Sequence, residues 1–144
     1  MYEINIFGRI YKIHDIFVVQ CNKIKEIPNV IFDIVELKEL NCVCNEIEEI
    51  SCDIQKLTNL EEIFLGGNKI KKIPNNLCKL KECDISGNEL VEIPIDFFKL
   101  INLQYLTLTR NKIEKIPGGK ICIKLYKTYR FYIVLSTDFT LQSL

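Results

Sequence analysis

Seven cysteines and one histidine are the residues of this 144-residue chain best suited to chemistry. Clustered thiolates and imidazoles hold zinc, and either group becomes a catalyst when a base or acid stands beside it. The spacing supports neither use. No CxxC pair occurs, and the closest cysteines, Cys42 and Cys44, flank Val43. His14 stands outside any ligand or nucleophile–base motif. Gly66-Gly67 and Gly118-Gly119 read as turn residues, not as a phosphate loop. No catalytic residue, metal ligand or cofactor is therefore expected. What remains is recognition chemistry: acidic, aromatic and arginine side chains that anchor interfaces.

Those side chains form a set only once the chain is aligned on five asparagines: Asn22, Asn45, Asn68, Asn88 and Asn111. Their gaps are 23, 23, 20 and 23 residues. Apolar residues travel with them. Five before each asparagine stand Phe17, Leu40, Ile63, Cys83 and Leu106, and three before stand Val19, Cys42, Leu65, Ile85 and Leu108. Two after stand Ile24, Ile47, Ile70, Leu90 and Ile113. A frame recurring at this period means a solenoid of stacked short coils. The LxLxxN segment alternates with period two, so it predicts a short strand with its apolar side chains inward. Each asparagine falls where the chain leaves the strand, and its amide can both donate and accept there. Five residues after each asparagine comes Ile27, Ile50, Ile73, Ile93 or Ile116. Pro28, Pro74, Pro94 or Pro117 follows, with Ser51 as the substitute. Proline sets φ as each outer segment begins.

The same alignment places the outward strand residues in columns. One column reads Ile16, Glu39, Glu62, Glu82, Tyr105 and the next Val18, Asn41, Phe64, Asp84, Thr107. A further column reads Cys21, Cys44, Gly67, Gly87, Arg110. Glu39, Asn41, Glu62, Phe64, Glu82, Asp84, Tyr105, Thr107 and Arg110 are the candidate partner-binding residues. Phe64 is expected to be an exposed aromatic beside an acidic strip. Stacked glutamates repel one another, and a basic partner relieves that cost. The competing reading is a solvated strand face with one stray phenylalanine. Cys21 and Cys44 share a column in adjacent coils, where a disulfide is geometrically conceivable. Free thiols are expected if the compartment is reducing.

The unit LxxLxxLxLxxNxIxxIPxxLxxL, best seen over 57–77 and 100–117, resembles the leucine-rich repeat. Its 23-residue length and IP pair are similar to the intracellular class of Ras-suppressor and scribble-type proteins. The resemblance covers about residues 11–120. It implies an α/β-type solenoid: a leucine-rich repeat arc with short parallel strands on the concave face and mostly irregular or 3-10 convex segments. It also implies an asparagine ladder through the five aligned residues.

Composition agrees with such a fold. Isoleucine outnumbers leucine by 24 to 16 and alanine is absent, which disfavours long helices. Lys+Arg and Asp+Glu balance at 19 each, so no global field favours nucleic acid or an anionic membrane. No apolar run reaches the length of a membrane span, and no secretory pattern opens the sequence. An intracellular, cytoplasmic monomer is expected. The residues following the asparagines are Lys23, Glu46, Lys69, Glu89 and Lys112, which predicts a charge ladder between coils.

Residues 1–21 read as a degenerate N-terminal coil or cap, with Tyr11, His14, Phe17 and Val19 in core columns. Residues 11–120 read as the solenoid of about five coils. Residues 121–144 read as a divergent C-terminal cap or degraded tail. In that tail Ile121, Ile123 and Leu125, then Phe131, Ile133 and Leu135, alternate as one or two strands. Lys120, Lys124, Lys127 and Arg130 interleave there with Tyr126, Tyr129 and Phe131, which leaves contact with anionic lipid or RNA as an alternative. The short step from Asn68 to Asn88 predicts a tighter convex segment.

The function expected is a non-enzymatic protein–protein interaction module that docks a protein, through a basic segment, on the concave face. Two alternatives stay open. The chain could be a substrate-receptor or adaptor fragment of a larger complex such as a ubiquitin ligase. It could also be a decayed repeat-family member without dedicated function.

Overall fold

The computed structural model describes residues 1–6, 8–74, 77, 79–114 and 132–134. Its spine is a six-stranded parallel sheet: β3 (Ile16–Val18), β4 (Glu39–Asn41), β5 (Glu62–Phe64), β6 (Glu82–Asp84), β7 (Tyr105–Thr107) and β8 (Tyr132–Val134). Each strand is three residues long and pairs with the next in sequence, so the chain climbs one coil per strand. The result is a leucine-rich-repeat-type solenoid arc. The middle residues Phe17, Leu40, Ile63, Cys83 and Leu106 are in register and buried. They join Val19, Ile24, Leu65, Ile70, Ile85 and Leu90 in one continuous core. A coil three or four side chains deep cannot hide its own apolar face, and its neighbours cover it.

The outer side of the arc is built from 3-10 turns at Asn29–Asp33, Cys52–Lys56 and Ile95–Lys99. The preceding residues Pro28, Ser51 and Pro94 have φ of −57°, −56° and −58°. The carbonyl of each accepts the first turn bond, at 2.9, 3.1 and 3.0 Å from Ile31, Ile54 and Phe97 N–H. Ser51 reaches the proline conformation without a ring because its Oγ accepts a bond from Asp53 N–H at 3.2 Å. The coil between Asn68 and Asn88 has no 3-10 turn among the described residues. A cleft of about 140 Å³ on the convex side is lined by Ile54, Leu57, Leu60, Leu77 and Leu80.

The asparagines tie the coils together. Asn45 Oδ1 accepts from Ile24 N–H at 3.1 Å, while its Nδ2 donates to Val19 O at 2.7 Å and Cys42 O at 3.0 Å. Asn68, Asn88 and Asn111 repeat the pattern one coil on. Asn22, at the start of the column, donates to Gln20 O within its own coil.

The N-terminus differs from its reading as a degenerate coil in two respects. β1 (Tyr2–Ile6) and β2 (Arg9–Ile13) form an antiparallel hairpin, closed around Gly8 at φ 78°. The hairpin lays Ile4 and Tyr11 against the core, and Tyr11 meets Phe17 edge-on with ring centroids 6.1 Å apart. His14 is not in a core column. Its side chain is 76% exposed, 3.5 Å from Asp15, and Ile13 takes the buried place. The hairpin's pleat sets this outcome, because in β structure adjacent side chains point to opposite faces. At the other end β8 continues the sheet, pairing Leu106 with Ile133. Ile116, Pro117, the expected strand residues Ile121, Ile123, Leu125, Phe131 and Leu135, and the basic–aromatic stretch 120–131 lie outside the described residues.

Candidate functional site

The inner sheet face is where successive strands present their outward side chains. Strand register places Ile16, Glu39, Glu62, Glu82 and Tyr105 side by side in one column. Val18, Asn41, Phe64, Asp84 and Thr107 form the next. The spacing between hydrogen-bonded strands is about 4.8 Å, so each glutamate is a direct neighbour of the next.

That crowding has an electrostatic signature. Burial first, and then the charges of Glu39 and Glu82, push the Glu62 carboxyl above the usual carboxylate range. The adjacent Glu61 behaves in the opposite way. Its carboxylate binds Lys81 Nζ at 2.6 Å, and that bond holds its pKa low. The repeat thus neutralises its flank and concentrates like charge on its inner face.

The flank continues the rule. Lys69 Nζ meets Glu46 at 2.9 Å and Lys112 Nζ meets Glu89 at 3.0 Å, each bridging adjacent coils. Both carboxylates are lowered, chiefly by these lysine bonds. Lys38 with Asp15, at 3.5 Å, and Lys71 with Glu48, at 3.9 Å, add further rungs. In every one of these rungs the acid belongs to the earlier coil and the base to the later one.

Phe64 departs from its expected exposure. It is half-buried between Asn41 and Asp84, its register partners. A side chain in the middle of a sheet is hemmed by both neighbouring strands. Tyr105, two strands on and in the other column, is 49% exposed. Asp84 Oδ1 accepts from Ser86 N–H at 2.9 Å, and Asn41 Oδ1 accepts from Gln20 Nε2 at 3.0 Å, so both are held in place. Arg110 is exposed at the last coil, with φ 55°. Two residues absent from the candidate set also belong to this face. Ile16 and Val18 are 50% and 44% exposed at the first strand. Their membership of the two columns was the sequence signal that could have included them.

Among the described residues no group of three or more histidine, cysteine or acidic side chains could hold a metal ion. No helix among them is long and apolar enough to cross a membrane. Cys42 and Cys83 are buried in core columns. Burial raises the Cys42 thiol to about 12 and pushes Cys83 in the same direction.

Residues 35–79 match a family model described as leucine-rich repeats in two copies, and residues 79–100 match a further leucine-rich repeat model. The coils of residues 35–100 are leucine-rich repeats. The leucine-rich repeat ectodomain of the receptor kinase SOBIR1 from Arabidopsis thaliana is similar at 26% identity and a TM-score of 0.68. The match covers 88% of this chain and 70% of that one. A leucine-rich repeat protein of Leptospira interrogans aligns at 24% identity and a TM-score of 0.67, over 79% of this chain and 30% of that one. The functional domain of InlJ from Listeria monocytogenes, described as including a cysteine ladder, aligns at 24% identity and a TM-score of 0.61. That match covers 70% of this chain and 22% of the InlJ chain. The chain therefore spans less than a third of the length of these two bacterial leucine-rich repeat proteins. No curated protein matches the sequence. Leucine-rich repeat domains are in general protein-interaction modules.

Proposed function

We propose that this leucine-rich repeat chain is a non-enzymatic binding module whose concave face docks a basic segment of a protein partner. The observation that carries this reading is the in-register column Glu39–Glu62–Glu82. Its central carboxyl is pushed upward by burial and by its two neighbours. Lysine or arginine side chains laid across the strands relieve that repulsion, and the relief adds to binding. Asp84, Asn41 and Thr107 supply hydrogen-bonding groups in the next column, while Phe64, Tyr105 and Arg110 are the anchors. Exposed Ile16 and Val18 extend the face for apolar side chains at the first coil.

The proline positions that open the convex turns support the 23-residue IP type of repeat, and an intracellular monomer is part of this reading. The test is affinity capture with the full chain, followed by binding of the captured partner to the double variant Phe64→Ala, Glu62→Lys. Binding is expected to be lost in the double variant, to weaken with salt, and to survive Val35→Ala on the opposite side. Undiminished binding by the double variant sinks the concave-face reading.

A further inference from the structure

Cys21 and Cys44 stand out among the thiols. Both are exposed, and both have left-handed backbones, with φ of 55° and 54°. The equivalent positions of the next two coils are Gly67 and Gly87, at φ 68° and 61°. Glycine is the residue that adopts this conformation without penalty, so two successive cysteines here are held against local preference.

The backbone fixes them as neighbours. Cys21 N–H donates to Val43 O at 3.0 Å, and Cys44 N–H donates to Gly66 O at 2.9 Å. The two residues therefore repeat one step of the sheet, about 4.8 Å, which falls within the Cα separation of roughly 4.4–6.8 Å that a disulfide spans. The step also aims the side chains. A Cβ placed on Gly67 lies 3.5 Å from Cys44 Sγ and 3.7 Å from Cys44 Cα. A Cβ on Gly87 likewise meets the preceding coil, 3.5 Å from Gly67 N, and the same step repeated one coil earlier carries Cys44 Cβ over Cys21. The Cys21 pKa is raised by burial first and then by a hydrogen bond to Cys44 and its charge. Cys52, the other exposed cysteine among the described residues, opens the 3-10 turn at Cys52–Lys56 on the convex side.

We propose that Cys21 and Cys44 are an oxidation site that closes to a disulfide joining the first two coils. The oxidant is a small-molecule disulfide such as oxidised glutathione. Deprotonation of Cys44 supplies the attacking thiolate. This thiolate attacks one glutathione sulfur, forms a mixed disulfide and expels one glutathione thiolate. Cys21 then attacks Cys44 Sγ, the protein disulfide forms, and the second glutathione leaves as thiolate. The two protons lost by the cysteines end on the two glutathiones. Among the described residues β3 is the edge strand of the parallel sheet, paired by β4. The bond staples this edge and holds its exposed Ile16 and Val18 in place.

The test treats the full native chain with oxidised glutathione, then maps peptides without reduction. The expected product is a linked pair of peptides containing Cys21 and Cys44. Amide exchange in residues 16–24 should slow by at least about tenfold relative to the reduced protein. Cys21→Gly, which places at 21 the residue found at 67 and 87, keeps the backbone conformation. It should leave Cys44 as a stable glutathione adduct, with no slowing of exchange. Separate adducts on Cys21 and Cys44 in the native chain, linkage of either to another cysteine, or no reaction at either would overturn the proposal.

Discussion

Asn88 Nδ2 reaches Leu65 O at 3.0 Å, across a coil boundary, although 20 residues separate it from Asn68 where the other steps have 23. The shortened coil loses length on its convex side alone. Its strand and its asparagine keep the bonds of the regular coils, because the ladder on the concave side fixes where each asparagine must sit.

Asn88 and Asn22 should therefore differ sharply in their importance. Asn88 is buried, accepts from Ile70 N–H at 2.9 Å and donates to Leu65 O and Ile85 O. Asn88→Ala strands these groups and is expected to cost about 3 kcal/mol. Asn22→Ala removes a bond within one coil and should cost less than about 1 kcal/mol. Denaturant melts of both variants check this. Equal losses would mean that the ladder does not carry the stability assigned to it.

The acidic column makes a pH-dependent prediction. Glu62 has its folded pKa raised above the ordinary 4.5. The fold therefore favours its protonated form, and this contribution is full below the unfolded pKa and lost as pH rises through the folded one. At neutral pH, Glu62→Gln should stabilise the free protein by about 0.5 kcal/mol. The gain should disappear in acid below the usual glutamate range. A basic ligand acts in the opposite sense by lowering the Glu62 pKa, so its binding should strengthen as pH rises through the same window. Urea melts at two pH values and a binding titration across the window read both effects.

Gly67 and Gly66 should respond differently to alanine. Gly67 has φ 68°, and an added Cβ meets Cys44 Sγ at an ordinary 3.5 Å. The cost of Gly67→Ala is then conformational, about 1 kcal/mol. At Gly66 an added Cβ comes within 3.2 Å of Ser86 Oγ and 3.5 Å of Asp84 Oδ2. Gly66→Ala should displace these two side chains and alter binding on the concave face more than it alters stability. Thermal melts together with partner binding separate the two variants.

Much of the fold was legible before any coordinates. The asparagine interval, the LxLxx frame and the prolines place Phe17, Leu40, Ile63, Cys83 and Leu106 in one column, and strand register pairs those same residues. This works because a solenoid turns sequence separation directly into spatial proximity: residues one period apart become neighbours. The N-terminal hairpin was missed because the coil columns were carried back through Tyr11 and His14, whereas the alternation that folds runs Tyr2, Ile4, then Tyr11, Ile13. Only the turn at Gly8 separates the two readings.

By itself the sequence determined the stacking axis, the core columns and which residues share each column, since all three follow from a repeated spacing. Tertiary structure decided the environments. It half-buried Phe64 between Asn41 and Asp84, turned His14 to solvent, raised Glu62 between two carboxylates and brought the Cys21 and Cys44 thiols together. Burial, desolvation and thiol contact depend on how side chains from different coils lean on one another. That lean is set by the left-handed turns and hydrogen bonds of the assembled stack, which a spacing rule does not contain.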